Sequence, residues 1–382
     1  MIMDIKRCRD INIPLDLTVE ILKKLPAKSL ARFRCVSTEW ESIINKFIVI
    51  NSIVTRCLTK PPRDLHFILN RWSLLNTKNK SSRFTNFSYS YLYPQITNEE
   101  QLYDGYIFES NKGYGSDPSF QYVRGLIGFQ CSDNGPFRIH NPTTRQFVTL
   151  PVTCLPATCI YLFGYDPFEN QYKVVWLKEQ SCQVFTLGDP TKQWRDIQCS
   201  LGFHFRVGEA VCINGAIYYK ASTKSLTYHL MSFDVRSEVF YHIQAPEDLW
   251  LRLKRGYVTF VNYHEKLGCI SRIKLNENDV DMWLMETAGK QEWSKVTFVA
   301  MLQDLPKAIT CAGVTHPGGE MVLVSQVYRH DELGPVVYYY DPIRNCSRRA
   351  KVQITTSLLE IEPRDCVRIW AVTDHVENIM PL

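Results

Sequence analysis

No apolar run in this chain approaches the roughly 20 residues that a membrane-crossing helix requires, so a helical anchor is not expected. The opening residues, Met1-Ile2-Met3-Asp4-Ile5-Lys6-Arg7-Cys8, lack the apolar core of a secretory signal. The 13 cysteines are odd in number and include no C-x-x-C pair. That argues against a disulfide framework or a zinc site and for a reducing compartment, cytoplasmic or nuclear. The nine histidines form no H-x-x-H or H-x-x-x-H pair, and His229, His242 and His264 read as structural residues of strands or turns. Also missing are G-x-x-x-x-G-K-[ST], G-x-G-x-x-G and G-x-S-x-G, so neither a phosphate cradle nor a nucleophile elbow is signalled. Gly113-x-Gly115-Ser116 comes nearest, but it lacks the following lysine and reads as a polar loop. The expectation is a protein with no metal, no cofactor and no catalytic residue of its own.

Charge is unevenly placed. The chain holds 44 Lys+Arg and 39 Asp+Glu, a net of +5. Residues 1–60 hold 11 basic and 6 acidic side chains, leaving 44 − 11 = 33 and 39 − 6 = 33 for the remainder. The whole excess therefore lies at the start, where it favours an acidic partner. The larger part carries no basic stripe, so a nucleic-acid partner is not expected.

What is abundant is aromatic side chains, at 12%, which suit the pleated surface of strands. Only the first 45 residues read as helical. Pro14 opens a run from Asp16 to Leu25, Pro26 stops it, and further helices are expected over Ser29–Arg34 and Thr38–Asn45. On the first helix Leu17, Ile21, Leu25, Leu22 and Val19 fall at about 0°, 40°, 80°, 140° and 200°. That arc is about twice the ~100° stripe that one core would need. Three short helices cannot bury it among themselves. Part of it must face either the chain's own large domain, as a helical cap, or another polypeptide.

The residues in this stretch favour the second choice. Ile13-Pro14-Leu15-Asp16-Leu17, Glu20-Ile21-Leu22, Leu25-Pro26-Ala27-Lys28-Ser29-Leu30 and Arg32-Phe33-Arg34-Cys35-Val36-Ser37, followed by Trp40, closely resemble the F-box motif in its plant form. Ile13 stands where leucine is usual, and the proline common after the third helix is missing near Lys46-Phe47. The resemblance implies a three-helix module over residues 8–50 that inserts into the small acidic adaptor of a cullin-type ubiquitin ligase. Carried over by position, Pro14, Leu17, Ile21, Leu22, Leu25, Pro26 and Leu30 would face the adaptor, with Val36 and Trp40 in or beside the contact.

From about residue 120 a second pattern repeats. Turns bearing Asn or Asp, or a looser equivalent, recur at Asn141, Asp189, Asp234, Glu286 and Asp341, at offsets of 48, 45, 52 and 55. A period near 50 with about four strands per copy indicates propeller blades of kelch type. A less regular all-β sandwich is the alternative. Asn/Asp-Pro steps favour these turns because the Asx side chain mimics a backbone turn and proline presets φ. Hairpin signals lie upstream, strongest at Asn214-Gly215 and weaker at Asp133-Asn134-Gly135, Glu169-Asn170 and Pro317-Gly318-Gly319. Strands near Leu65–Leu75, Phe84–Tyr93 and Val367–Val372 could close the ring as a sixth unit.

Arg124-Gly125-Leu126-Ile127, Asn141-Pro142-Thr143-Thr144-Arg145, Phe233-Asp234-Val235-Arg236 and His375-Val376-Glu377-Asn378 resemble the plant F-box-associated domain. The expected fold is thus α+β and multidomain: a small three-helix F-box, then an all-β, kelch-like β-propeller over residues 60–375. The resemblance implies a non-enzymatic substrate-recognition subunit of an SCF-type complex, presenting an unidentified target protein for ubiquitination. Phe203-His204-Phe205-Arg206 and Trp250 are candidate target contacts, and each could equally be a core residue. The competing expectations are a propeller enzyme or glycan-binding protein with a helical cap, and an F-box protein acting without ubiquitin transfer.

Overall fold

The structure is a computed structural model. It describes residues 13–45, isolated positions between 49 and 57, strands at 65–73, 85–91 and 105–108, and 120–382. Within that last span it omits the connections 131–134, 153–159, 179–180, 200–203, 224–226, 257, 272–278, 299–308, 316–317, 326, 330–335, 352–364 and 374. Gly113-x-Gly115, Asp133-Asn134, Pro317 and Phe203 lie outside the described residues.

Helix α1 spans Leu15–Lys24, α2 spans Ala27–Phe33 and α3 spans Thr38–Ile44. Pro14 caps α1, Asp16 sits in its first turn and Lys23 and Lys24 in its last, each matching the helix dipole. The second helix starts two residues before the sequence expectation. Pro26 already holds φ at −61°, so the chain enters helix directly behind it. For α3 the Ser37 hydroxyl accepts a hydrogen bond from the Trp40 amide at 3.1 Å, satisfying one free N–H of the first turn.

The strands form six antiparallel sheets. Five are four-stranded blades, built from consecutive strands except that in the fifth the short strand Val327–Arg329 leaves to pair with Asp365–Val372. Blade 1 comprises Phe120–Val123, Leu126–Gln130, Phe137–Asn141 and Gln146–Thr149. Blade 2 runs over 160–197, blade 3 over 205–243, blade 4 over 258–298 and blade 5 over 309–351. The sixth sheet closes the ring. In it Leu65–Ser73 pairs with Asp365–Val372 on one side and with Thr85–Tyr91 on the other, so strands from both ends of the chain share one sheet.

The repeated turn residues occupy equivalent places. Asn141, Asp234 and Asp341 end the third strand of their blades and Asp189 stands just beyond it, and their Oδ1 atoms accept from amides two or three residues on. The turn between the first two strands is also shared. Arg124-Gly125 and Asn214-Gly215 both take positive φ at two consecutive residues (40° and 89°, 47° and 84°), the geometry of a tight hairpin. In blade 1 the first hairpin sits at Arg124-Gly125, and the weaker signal at Asp133-Asn134-Gly135 falls between the antiparallel second and third strands.

Apolar clusters lie between neighbouring blades. Phe137, Phe163 and Trp176 fill the space between blades 1 and 2, Leu162, Ile217 and Phe233 that between 2 and 3. Phe120 against Trp370, centroids 5.0 Å apart, joins blade 1 to the closing sheet. Buried polar side chains also tie blades together. The buried Gln121 amide donates to the Tyr161 carbonyl and accepts from the Phe163 amide, both at 2.9 Å, bridging blades 1 and 2. Lys173, also buried, donates to the Val235 carbonyl and to Glu238, both at 2.9 Å. Burial alone would raise the Glu238 carboxyl, but hydrogen bonds from Arg195 and Lys173 hold it below the usual range.

Sequence reasoning missed one helix. α4, Glu247–Arg255, joins blade 3 to blade 4. Its signals were present: Pro246 before it, Glu247 and Asp248 in the first turn, Arg252, Lys254 and Arg255 in the last, and Gly256 at φ 78° beyond. Leu249 and Leu253, four residues apart, are its buried face.

Candidate functional site

The three N-terminal helices enclose a core of Leu22, Ala27, Leu30, Ile43, Ile44, Val49 and Ile53, all buried. Arg56 donates to the carbonyls of Lys23 and Leu25 at 3.0 and 2.7 Å, satisfying free acceptors at the end of α1. The wide apolar arc of α1 is thereby divided. Leu22, with Val19 and Leu25 partly buried, faces this core. Leu17 and Ile21, one turn apart, remain 56% and 49% exposed.

The sequence-derived contact set divides accordingly. Pro14 and Pro26 are exposed, and Val36 in the α2–α3 turn is 66% exposed. Leu25 and Trp40 are half-buried, Trp40 edge-on to Phe33 at 5.3 Å. Leu22 and Leu30 have 0% exposure. Both are therefore corrected from surface contacts to core residues. Their side chains point where the short helices must bury something to stay folded. Ile13 and Leu15, outside the expected set, are about as exposed as Ile21.

The antiparallel meander fixes two faces of the propeller. Turns after the first and third strands of each blade lie on one face, and connections after the second and fourth lie on the other. Residues 375–382 run along the first face. Asn378 donates its side-chain amide to the Arg124 carbonyl at 2.9 Å and to the Tyr172 hydroxyl at 2.7 Å, and Asn141 donates to the Asn378 carbonyl at 2.9 Å. Ile379 enters the helical core, and Arg34 donates to its carbonyl at 2.6 Å. The helices are thus held against the first face, while α4 lies on the opposite one.

Two buried histidines, His375 at the start of this segment and His140 near it, are held neutral. His140 is held near pKa 3 by burial and by nearby His375, and His375 near 3 by burial alone. Both are neutral when folded and would take up a proton below about 6.5 when unfolded, so stability falls as pH drops from 6.5 toward 3. Each should contribute a slope of at most about 1.4 kcal/mol per pH unit. Urea unfolding at pH 7 and pH 5 should show this loss, and His140→Gln with His375→Gln should flatten it.

Comparison with known families matches residues 11–51 to the F-box domain and residues 73–376 to the F-box associated beta propeller domain. The chain belongs to this F-box family. The match names a β-propeller and not a kelch domain, so the coarser description stands. Relatives in Arabidopsis thaliana include the putative F-box protein At1g32420, 46% identical over 74% of this chain and 89% of its own length. The F-box protein At1g52495 is 37% identical over 98% and 89%, and the putative F-box protein At5g50220 is 38% identical over 99% and 94%. F-box proteins of this kind are generally non-catalytic adaptors, and the F-box typically binds the small acidic adaptor of SCF complexes.

In this F-box protein the candidate target residues do not come together. His204 is buried, with its Nε2 2.7 Å from the Tyr219 hydroxyl, and is a core residue of blade 3. Trp250, half-buried on α4, lies under the Lys254 ammonium at 5.4 Å. A cavity of about 610 Å³ is lined by Arg124, Glu209, Phe260, Thr310, Trp370 and others. His229 and His242, separate in sequence, meet at 3.0 Å on blade 3. Among the described residues no three metal-ligating side chains converge.

Proposed function

We propose that this protein is the target-receptor subunit of an SCF-type cullin ubiquitin ligase. The exposed side of α1 docks on the small acidic adaptor, and the propeller holds a target protein for ubiquitination and proteasomal degradation. The observation that carries this reading is the exposed pair Leu17 and Ile21, with Leu15 exposed beside them, on a helix whose Leu22 is buried and whose Val19 is partly so. The basic excess of residues 1–60 complements an acidic adaptor and speeds encounter. Pro14 and Pro26, both exposed, and Val36 complete the proposed contact, with Leu25 and Trp40 at its edge.

The mechanism is proximity. Holding adaptor and target on one chain raises the effective concentration of target lysines near the ubiquitin-loaded enzyme, with no chemistry by this chain. The propeller face bearing α4 looks away from the F-box, and it is the proposed target side because it is free of the F-box and because surface connections tolerate change while strands hold the frame. Trp250 and Lys254 are candidate contacts there. The working compartment is cytoplasm or nucleus.

The test is co-purification of adaptor and cullin with the full-length protein. Recovery of both is expected. Recovery of adaptor without cullin would point to an F-box protein that acts without ubiquitin transfer. Recovery of neither would contradict the proposal.

A further inference from the structure

We infer that residues 375–382 are an intramolecular strap that completes the F-box core and fixes the F-box at one place on the propeller. Its functional consequence rests on the adaptor-docking reading, but its geometry does not.

Two consecutive residues carry the argument. Asn378, 1% exposed, is anchored in the propeller. Its amide donates to the Thr143 hydroxyl at 2.9 Å, its side chain donates to the Arg124 carbonyl and the Tyr172 hydroxyl, and its carbonyl accepts from Asn141. Its Oδ1 accepts from the Met380 amide at 2.8 Å, which sets the path of the following residues. Ile379, also 1% exposed, is anchored in the F-box, within the cluster formed by Leu22, Leu30, Ile44 and Ile53. Arg34, at the end of α2, donates to its carbonyl and so stitches helix to strap. No flexible spacer lies between the two anchors, since they are adjacent in sequence.

The physical need is plain. Three helices of ten, seven and seven residues enclose too little apolar surface to be stable alone, and a side chain from over three hundred residues away fills their core. The strap therefore makes F-box integrity depend on the propeller. It also sets a constant separation between the adaptor-facing helix and the far face of the ring, which is the distance a target lysine must span.

The test is amide hydrogen exchange on the full-length protein without adaptor, comparing wild type with Ile379→Ala and Ile379→Val. Ile379→Ala should accelerate exchange in α1–α3 by roughly thirtyfold or more, the low end of a buried Ile→Ala loss at tenfold per 1.4 kcal/mol. The blade strands should keep wild-type protection, and Ile379→Val should restore most of the helix protection. Adaptor affinity of Ile379→Ala should fall in parallel. Unchanged exchange in α1–α3, or equal acceleration in helices and blades, would overturn the strap. Failure of the wild type to bind adaptor would instead count against the docking reading, because the exchange comparison needs no adaptor.

Discussion

Replacing Leu17 and Ile21 together by aspartate is expected to abolish adaptor binding while leaving α1–α3 folded. Both side chains stand in water, so the substitutions remove no core contact. They place two carboxylates against an acidic partner and delete two apolar anchors, each worth on the order of 2 kcal/mol or more at an interface. The combined loss should exceed roughly a thousandfold in affinity, measurable by titration of the purified proteins. Circular dichroism and thermal melting should match wild type. The contrast is Leu30→Asp. Leu30 has 0% exposure, so a charge there would unfold the module, and lost binding would say nothing about the interface. Wild-type affinity in the Leu17, Ile21 variant would remove α1 from the docking surface.

Gly125→Val is expected to detach the strap from the propeller. Gly125 holds φ at +89°, which a β-branched residue adopts only under strain. An added Cβ would also lie 2.4 Å from the Val376 carbonyl oxygen and 2.6 Å from the Asn378 Cβ, both part of the strap and neither able to swing aside like a side-chain tip. Strain and clash together should cost on the order of 3 kcal/mol. The strap gives way at less cost than blade 1, whose first two strands are paired along their length from Phe120↔Phe129 to Val123↔Leu126. The expected result is faster amide exchange in α1–α3 with the blade strands protected, the same pattern as Ile379→Ala from the opposite anchor. Loss of protection throughout blade 1 would mean that the hairpin, not the strap, absorbs the strain.

Much of this architecture was legible because it rests on local chemistry. Asn or Asp followed by proline or a small residue makes the same turn wherever it occurs, so Asn141, Asp189, Asp234 and Asp341 marked corresponding corners of four blades. Glu286 marked the corner of blade 4 by spacing alone, and there the register shifts between Met285 and Thr287. The apolar excess of α1 was legible as an excess, but not its division. Periodicity places Leu17 and Leu22 on one broad arc, and only the position of α3 and of Ile379 decides which half is covered. Leu22 and Leu30 stand in the expected contact set through the resemblance to the F-box motif, and the structure makes both core residues. The strap was illegible in the sequence. His375-Val376-Glu377-Asn378 stood out as a family-like string, yet nothing local ties Ile379 to α2. Helix α4 is a different kind of miss, since its proline, acids, bases and glycine were all in place. The Trp-Leu-Arg-Leu run in its middle reads as well for a buried strand.

The most direct test of the central claim is amide exchange of the full-length protein with and without saturating purified adaptor. The account predicts new protection over residues 13–21 and around Val36, with the α4 face of the propeller unchanged. No change in α1, or protection confined to the propeller, would contradict it.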